Sequence, residues 1–258
     1  MGTGTLRGLN IVWVLFWHRF CPARREEALK LVWVFLEPAG QILVLLLVFA
    51  VVGRSGGYGI SFALFLLTGV AALSIFQRTM NAVSTAVVQL KSPQRPAPVG
   101  VFNDALAAVG FSALTGLVYT IALAALIGAW QHVPWRPVAP FTTLAGLTSA
   151  AILGFSTGLI RGYCQRFQPI VTRAINIASR VLLFISGVFY MPAYLPPFLR
   201  DWLVWNPLLH AIELMRVGVY GGDYPALLLD TLYLCLFCLA STAFALGLVW
   251  TNRAAVTE

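Results

Sequence analysis

Apolar residues run through this chain in long unbroken stretches, and the polar positions collect between them. The stretches cover residues 31–52, 61–80, 105–129, 138–160, 170–190 and 227–250. Each is about 20 residues, the length an α-helix needs to cross a hydrocarbon layer of about 30 Å. The pattern predicts an all-α polytopic membrane protein: one transmembrane domain over residues 1–258 with six membrane-spanning helices.

Three shorter patterns lie between or before these spans. Residues 9–20 are apolar and aromatic, with Trp13, Phe16, Trp17 and Phe20, but too few to span, and Pro22 and Arg24-Arg25 close the segment. It is predicted to lie as an amphipathic helix in the membrane interface. His18-Arg19-Phe20-Cys21 offers no small-residue cleavage site, so the helix is expected to be retained. Residues 81–91 are expected to form a separate short cytoplasmic helix, followed by a turn at Pro93, Pro96 and Pro98, with Asn103 or Asp104 capping the third span. The segment Met191–Tyr224 is too apolar for a solvated loop and too interrupted for a span. Pro196-Pro197 should open a helix through Trp205, Asn206-Pro207 should break it, and a second helix over 208–220 should stop at Gly221-Gly222. At 100° per residue Leu208, Ala211, Ile212 and Met215 share one face, and His210, Glu213, Arg216 and Tyr220 share the other. Residues 195–220 are therefore expected to form a re-entrant hairpin in the outer leaflet with its polar face wet.

Composition narrows the class. Hydrophobic residues make up 59% and charged residues 10%, against roughly 45–50% and about 25% in soluble domains, which excludes a soluble enzyme. The net charge of +8 reports orientation rather than nucleic-acid binding. Of 17 Lys and Arg, only Arg54, Arg136, Arg200 and Arg216 fall at one end of the spans, and the rest at the other, so both termini are expected in the cytoplasm.

Candidate chemistry is sparse. His18, His132 and His210 are far apart, and no helix carries a catalytic metal constellation. Lys30 and Lys91 follow leucines where a phosphate-binding loop demands glycine, so no catalytic site, metal or cofactor is expected in this chain. Cys235 and Cys238 have redox-motif spacing but sit in an apolar helix, and are expected to pack there. Gly154, Gly158 and Gly162 repeat every four residues, a spacing that lets membrane helices approach closely.

Intramembrane charges remain. Glu37, beside Pro38, is expected to pair with Arg78 or Arg180. Arg173, Asn176 and Arg180 form one polar stripe, and Arg78, Asn81 and Thr85 a second. With Arg24, Arg25 and Lys30 they place Arg24, Arg25, Lys30, Arg78, Arg173 and Arg180 near the inner headgroups, a set suited to an anionic substrate. Glu213 and Arg216, at i and i+3, suit either a local ion pair or a gate. The candidate pathway residues are Glu37, Tyr190, Trp205, His210, Glu213 and Arg216.

Two segments carry a family likeness. The interfacial aromatic helix, the basic elbow and Val32-Trp33-Val34-Phe35-Leu36-Glu37-Pro38 resemble the opening of type-2 ABC exporter permeases. Trp205-Asn206-Pro207-Leu208-Leu209-His210-Ala211-Ile212-Glu213-Leu214-Met215-Arg216 resembles the hairpin before the last span in that family. The first segment is most similar to the Kps-type capsular polysaccharide exporters; O-antigen and teichoic-acid exporters have similar hairpins. The resemblance implies a homodimer in the bacterial inner membrane, with ATP and Mg bound by two separate ATPase subunits. It implies export of a lipid-linked polysaccharide, handed to a periplasmic co-polymerase or adaptor and an outer-membrane export protein. By the same analogy residues 81–91, with Asn81, Thr85, Gln89 and Lys91, correspond to the coupling helix on the ATPase. A secondary transporter is the alternative class, but it would call for midplane acids and repeat symmetry.

Overall fold

The computed structural model describes residues 12–14, 17, 25–51, 61–89, 101–132 and 137–251. Eight α-helices account for most of them: α1 Arg25–Val51, α2 Phe62–Val88, α3 Val101–Gln131, α4 Pro140–Phe167, α5 Pro169–Ile185, α6 Pro197–Leu203, α7 Pro207–Tyr220 and α8 Thr231–Thr251. No strand occurs among the described residues.

Helix α2 is the axis of the molecule, and nearly every side chain from Ala63 to Met80 is buried. Its most extensive interface is with α4, and α3 and α7 also pack on it; α4 in turn carries α7 and α8. Small residues on α4 make this close approach possible. A Cβ at Gly154 would stand 2.5 Å from the Phe76 carbonyl oxygen, one at Gly158 2.8 Å from that of Met80, and one at Gly162 2.7 Å from Val87. Two turns before Gly154, Gly146 lets α7 settle on α4, its Cβ position lying 2.6 Å from the Met215 nitrogen.

Local chemistry sets the helix ends. Ser61 caps α2, its hydroxyl accepting from the Leu64 N–H at 3.4 Å. Pro169 forbids continued helix at Gln168 (φ −142°, ψ 77°), so α4 stops and α5 begins with proline in its first turn. Asn206 accepts from Leu208 N–H at 3.1 Å with Pro207 opening α7, and Gly221 at φ +62° ends it. Asp230 caps α8 by accepting from the Tyr233 N–H at 2.9 Å.

Several expectations change at the element ends. The separate helix expected over 81–91 does not break away: α2 runs straight through Asn81 to Val88, with Gln89 as its cap. No proline lies between Phe62 and Pro93, and Val83, Ala86 and Val87 stay buried, so nothing ends the helix earlier. Helix α3 begins at Val101, which puts Asn103 and Asp104 inside its first turns rather than at the cap; the Asp104 carboxylate there complements the helix dipole. The stretch read as a span to Tyr190 leaves helix at Ile185 and turns at Gly187, where φ is +72°.

Among the described residues, four helices combine the length and hydropathy of a membrane crossing: Phe62–Val88, Phe102–Gln131, Pro140–Gln165 and Thr231–Thr251. The apolar part of α1 is shorter, Phe35–Phe49, and α5 has 17 residues. Large apolar side chains such as Trp33, Leu47, Leu126, Ile177, Phe184 and Leu239 cover the outside of the bundle. Of the segment 9–20, residues 12–14 and 17 are described and are helical; Trp13 and Trp17 meet edge to face at 5.8 Å, one turn apart.

Candidate functional site: a polar vestibule beside a buried arginine clamp

The polar stripe of α2 begins a turn earlier than Arg78. Ser74, Arg78, Asn81 and Thr85 follow one another at four, three and four residues, which places them on one helical face. Opposite this face, α1 contributes Glu37 and Gln41, again four residues apart, and α3 contributes Asp104, Ser112 and Thr115. Between the three helices lies an open cavity of about 460 Å³, completed by Gln77, Gln89 and Phe111. It is the kind of concave, partly polar space that binds ligands, and its size falls within the usual range of about 300–1,000 Å³.

One ion pair crosses it. Arg78 Nη2 lies 3.0 Å from Glu37 Oε2, with 16% of the Arg78 side chain and 53% of that of Glu37 exposed. The Arg78 guanidinium also lies 5.6 Å from the centre of the Tyr119 ring. Tyr119 is itself fixed, donating to the Ala71 carbonyl at 3.0 Å and bonding Ser74. Behind the stripe Arg161 of α4 donates from Nη1 to the side-chain oxygen Oδ1 of Asn81, and Gln77 donates to the Ser179 backbone carbonyl of α5 at 3.1 Å. The vestibule is thus tied through α2 to α1, α3, α4 and α5.

The predicted site residues divide accordingly. Glu37, Arg78, Asn81, Thr85 and Gln89 come together here, so residues expected to meet the substrate and residues expected to meet an ATPase share one cavity. The partner of Glu37 is Arg78 and not Arg180. Arg173 and Arg180 stand exposed on α5 and do not line the vestibule. Arg25 and Lys30 fall within α1, and Arg24 and Lys91 lie outside the described residues. Sequence reasoning missed Gln41, Ser74, Asp104, Ser112 and Thr115 as lining residues. The four-residue spacing of Glu37 and Gln41, and the backward extension of the α2 stripe to Ser74, were the available signals.

The second cluster corrects an expectation. His210, Glu213 and Arg216 were expected on a wet face of the hairpin, but all three are buried, at 0%, 1% and 0% exposure. They do share a face, and that face packs inward. Arg216 donates from Nη1 to Gly187 O at 2.8 Å, from Nη2 to Val188 O at 3.1 Å and from Nε to Thr68 Oγ1 at 3.3 Å. Its guanidinium carbon lies 3.7 Å from the centre of the Phe65 ring. The expected direct contact with Glu213 is replaced by a bridge: the Tyr224 hydroxyl accepts from Arg216 at 3.5 Å and donates to Glu213 Oε1 at 3.2 Å. His210 Nδ1 accepts from the Asp230 N–H at 3.1 Å, so its Nε2 carries the proton given to Val204 O at 2.7 Å. This cluster clamps α7 to α2, to the turn after α5 and to the start of α8. Trp205, 72% exposed, stands outside it, whereas half-buried Tyr190 borders it at the Gly187 turn.

No group of three or more His, Cys, Asp or Glu that could hold a metal occurs among the described residues. The arrangement can bind and orient polar groups. Comparison with known proteins gives it a context. The polysialic acid transport protein KpsM of Escherichia coli is 27% identical over 225 residues, covering 87% of this chain and 86% of that protein. The capsule polysaccharide export inner-membrane protein BexB of Haemophilus influenzae is 24% identical over 193 residues, 73% of this chain and 71% of that one. The capsule polysaccharide export inner-membrane protein CtrC of Neisseria meningitidis serogroup B is 22% identical over 192 residues, covering 74% and 72%. A family model described as ABC-2 type transporter matches residues 10–220, most of the chain, with the vestibule residues and His210, Glu213 and Arg216 inside it, and the chain therefore belongs to the ABC-2 type transporter membrane family.

Proposed function

We propose that this chain is the membrane subunit of an ATP-driven exporter that moves lipid-anchored capsular polysaccharide across the bacterial inner membrane. The observation that carries this reading is the likeness to a polysialic acid transport protein along 87% of the chain, joined to membership of the family. In this reading two copies work as a homodimer over two separate ATPase subunits, which bind ATP and Mg. A periplasmic adaptor and an outer-membrane export protein take the polymer onward.

The membrane arrangement follows. α1 and α5 cross the bilayer beside the four longer helices, giving six spans with both termini in the cytoplasm. Residues 9–20 lie in the inner interface, and α6 and α7 form the re-entrant hairpin of the outer leaflet. α5 rises only about 25 Å as helix, and the turn through Tyr190 completes its crossing. Arg173 and Arg180, exposed on α5, join Arg24, Arg25 and Lys30 at the inner headgroups to meet the anionic groups of the substrate. Arg78 is the member of the set that arrives already neutralised. Thr85 and Gln89, at the end of α2, meet the ATPase.

The test is reconstitution. The purified chain should capture a soluble ATPase from its own cell, and the assembly, with ATP, should move capsular polysaccharide in vesicles. Polysaccharide movement by the chain alone under an ion gradient would overturn the reading in favour of a secondary transporter. ATP-dependent movement of an O-antigen or teichoic acid but no capsular polymer would correct the substrate.

A further inference from the structure

Glu213 is buried in the clamp of α7, and the clamp serves only half of its carboxyl group. Its Oε1 accepts from the Tyr224 hydroxyl at 3.2 Å, while its Oε2 is buried with no hydrogen-bond partner. An ionised carboxylate in so dry a place is expensive unless a cation and several donors hold it. The cation at hand is engaged elsewhere. Arg216 gives its N–H groups to the Gly187 and Val188 carbonyls, the Thr68 hydroxyl and the Tyr224 hydroxyl, and the Phe65 ring covers its face. Its charge is thus spread over other acceptors, and its fork is not offered to Glu213.

The elements packed around this cluster add no second cation. α2 presents the Phe65 ring and the Thr68 hydroxyl, the turn after α5 presents two carbonyls with the phenol of Tyr190 beside them, and α4 meets α7 at Thr143 and Gly146. The segment leading to α8 brings the Tyr224 hydroxyl and the Leu228 N–H to the carboxyl, while Asp223 and Asp230 stay exposed. On α7 itself, His210 is committed to Val204 and Asp230, and the Tyr220 hydroxyl is buried without a partner. Arg216 is the charge that acts on Glu213. α7 belongs to the hairpin and not to a span, and burial pushes the Glu213 carboxyl up from 4.5 to about 7, with Arg216 opposing the rise.

We infer that Glu213 is a proton-binding site: the clamped α7 holds its carboxyl as the neutral acid, and release of the proton loosens α7 from α2. Oε2 is the atom left to carry the proton, since no N–H or O–H is aimed at it. Oε1 keeps its bond from Tyr224 in either form. Ionisation would leave a carboxylate with one neutral donor and no water, and movement of α7 toward solvent relieves it. By linkage, a closed hairpin takes up a proton and an opened one returns it to the water outside. This holds whatever the chain carries across the membrane.

Carbon-13 labelling of the glutamate carboxyls tests it by NMR on the full chain in lipid nanodiscs. The chain has few glutamates, Glu26, Glu27, Glu37, Glu213 and Glu258, and the resonance missing from Glu213→Gln belongs to Glu213. If that variant does not fold, replacing the other glutamates one at a time assigns the resonance by elimination. It should titrate near pH 7 and not near the ordinary 4.5. Because the folded value is raised, the stabilisation is full in acid and is lost as pH rises through about 7. The thermal unfolding midpoint should fall by about 4 °C between about pH 6 and about pH 8, beyond any fall in Glu213→Gln. A Glu213 resonance that titrates near 4.5 would overturn the proposal and make Glu213 an ionised companion of Arg216. So would a Glu213→Gln midpoint that follows pH as that of the unaltered chain does.

Discussion

Arg216 has no solvent contact, and a guanidinium in such a place is tolerable only if its donors are satisfied. Two backbone carbonyls, a threonine hydroxyl and a tyrosine hydroxyl accept from it, and the Phe65 ring covers its face. Hydrogen bonds to a charged group are worth about 1.5–3 kcal/mol each. Arg216→Met should therefore lower the stability of the purified subunit by on the order of 3 kcal/mol, read as a fall in its thermal unfolding midpoint in detergent. Arg216→Lys should recover only part, because a single ammonium cannot hold both carbonyls and stack as a planar fork does. An arginine acting only as a wet gate would leave the midpoint unchanged. Glu37 and Arg78 are different, since Glu37 is half exposed and such pairs are worth about 0–1 kcal/mol. Exchanging them as Glu37→Arg with Arg78→Glu should keep the fold, and the export rate of the exchanged variant reports whether the vestibule needs the original polarity. The helical spacing of His210, Glu213 and Arg216 made their common face legible in the sequence. It could not tell what the face meets: periodicity records which residues travel together, and burial depends on Phe65, Thr68 and the turn at Gly187, all distant in the chain.

At the scale of elements, the glycines of α4 and the punctuation around α7 were legible because each has a local physical cause. Close approach at Gly154, Gly158 and Gly162 leaves no room for a side chain, whereas nothing lies within 4 Å of a Cβ at Gly247. Gly158→Leu should wedge α4 from α2 and leave little folded subunit in the membrane fraction. Gly247→Ala should be neutral or slightly stabilising, since alanine is about 1 kcal/mol better than glycine within a helix. The end of α2 was not legible. Asn81, Thr85 and Gln89 read as part of a separate short cytoplasmic helix, yet they are the vestibule side of α2 itself, whose other side, through Val83 and Val87, is apolar and buried. The hairpin teaches the same lesson. Cysteines placed at Trp202 and Trp205 should react with an impermeant thiol reagent from the periplasm, and ones at Ile212 and Glu213 should not. Reaction at Glu213 but not Ile212 would restore the wet polar face that the spacing alone suggested.

Over the whole molecule, α2 joins the two clusters. Thr68 and Gly69, near one end, touch the Arg216 clamp, while Arg78, Asn81 and Thr85 border the vestibule and Gln89 closes the other end. Its 27 residues span about 40 Å without a proline. Glycines 154, 158 and 162 bind it rigidly to α4, so a push on its Gln89 end has few ways to dissipate before it reaches α7. If an ATPase seats on that end, its contact residues can be changed without harm to the fold. Thr85 and Gln89 are exposed, and exposed substitutions away from special features usually shift stability by no more than about 0.5 kcal/mol. The double variant Thr85→Ala with Gln89→Ala should therefore reach the membrane in normal amount and unfold at the normal temperature. ATP hydrolysis by the assembled complex should continue in it while polysaccharide export falls, because the stroke no longer reaches α2. The isolated chain, variant or not, should hydrolyse no ATP, as its sequence holds no phosphate-binding loop. Export and hydrolysis both at the level of the unaltered complex would place the ATPase contact elsewhere on the cytoplasmic face, and loss of the protein from the membrane would show these two residues to be structural.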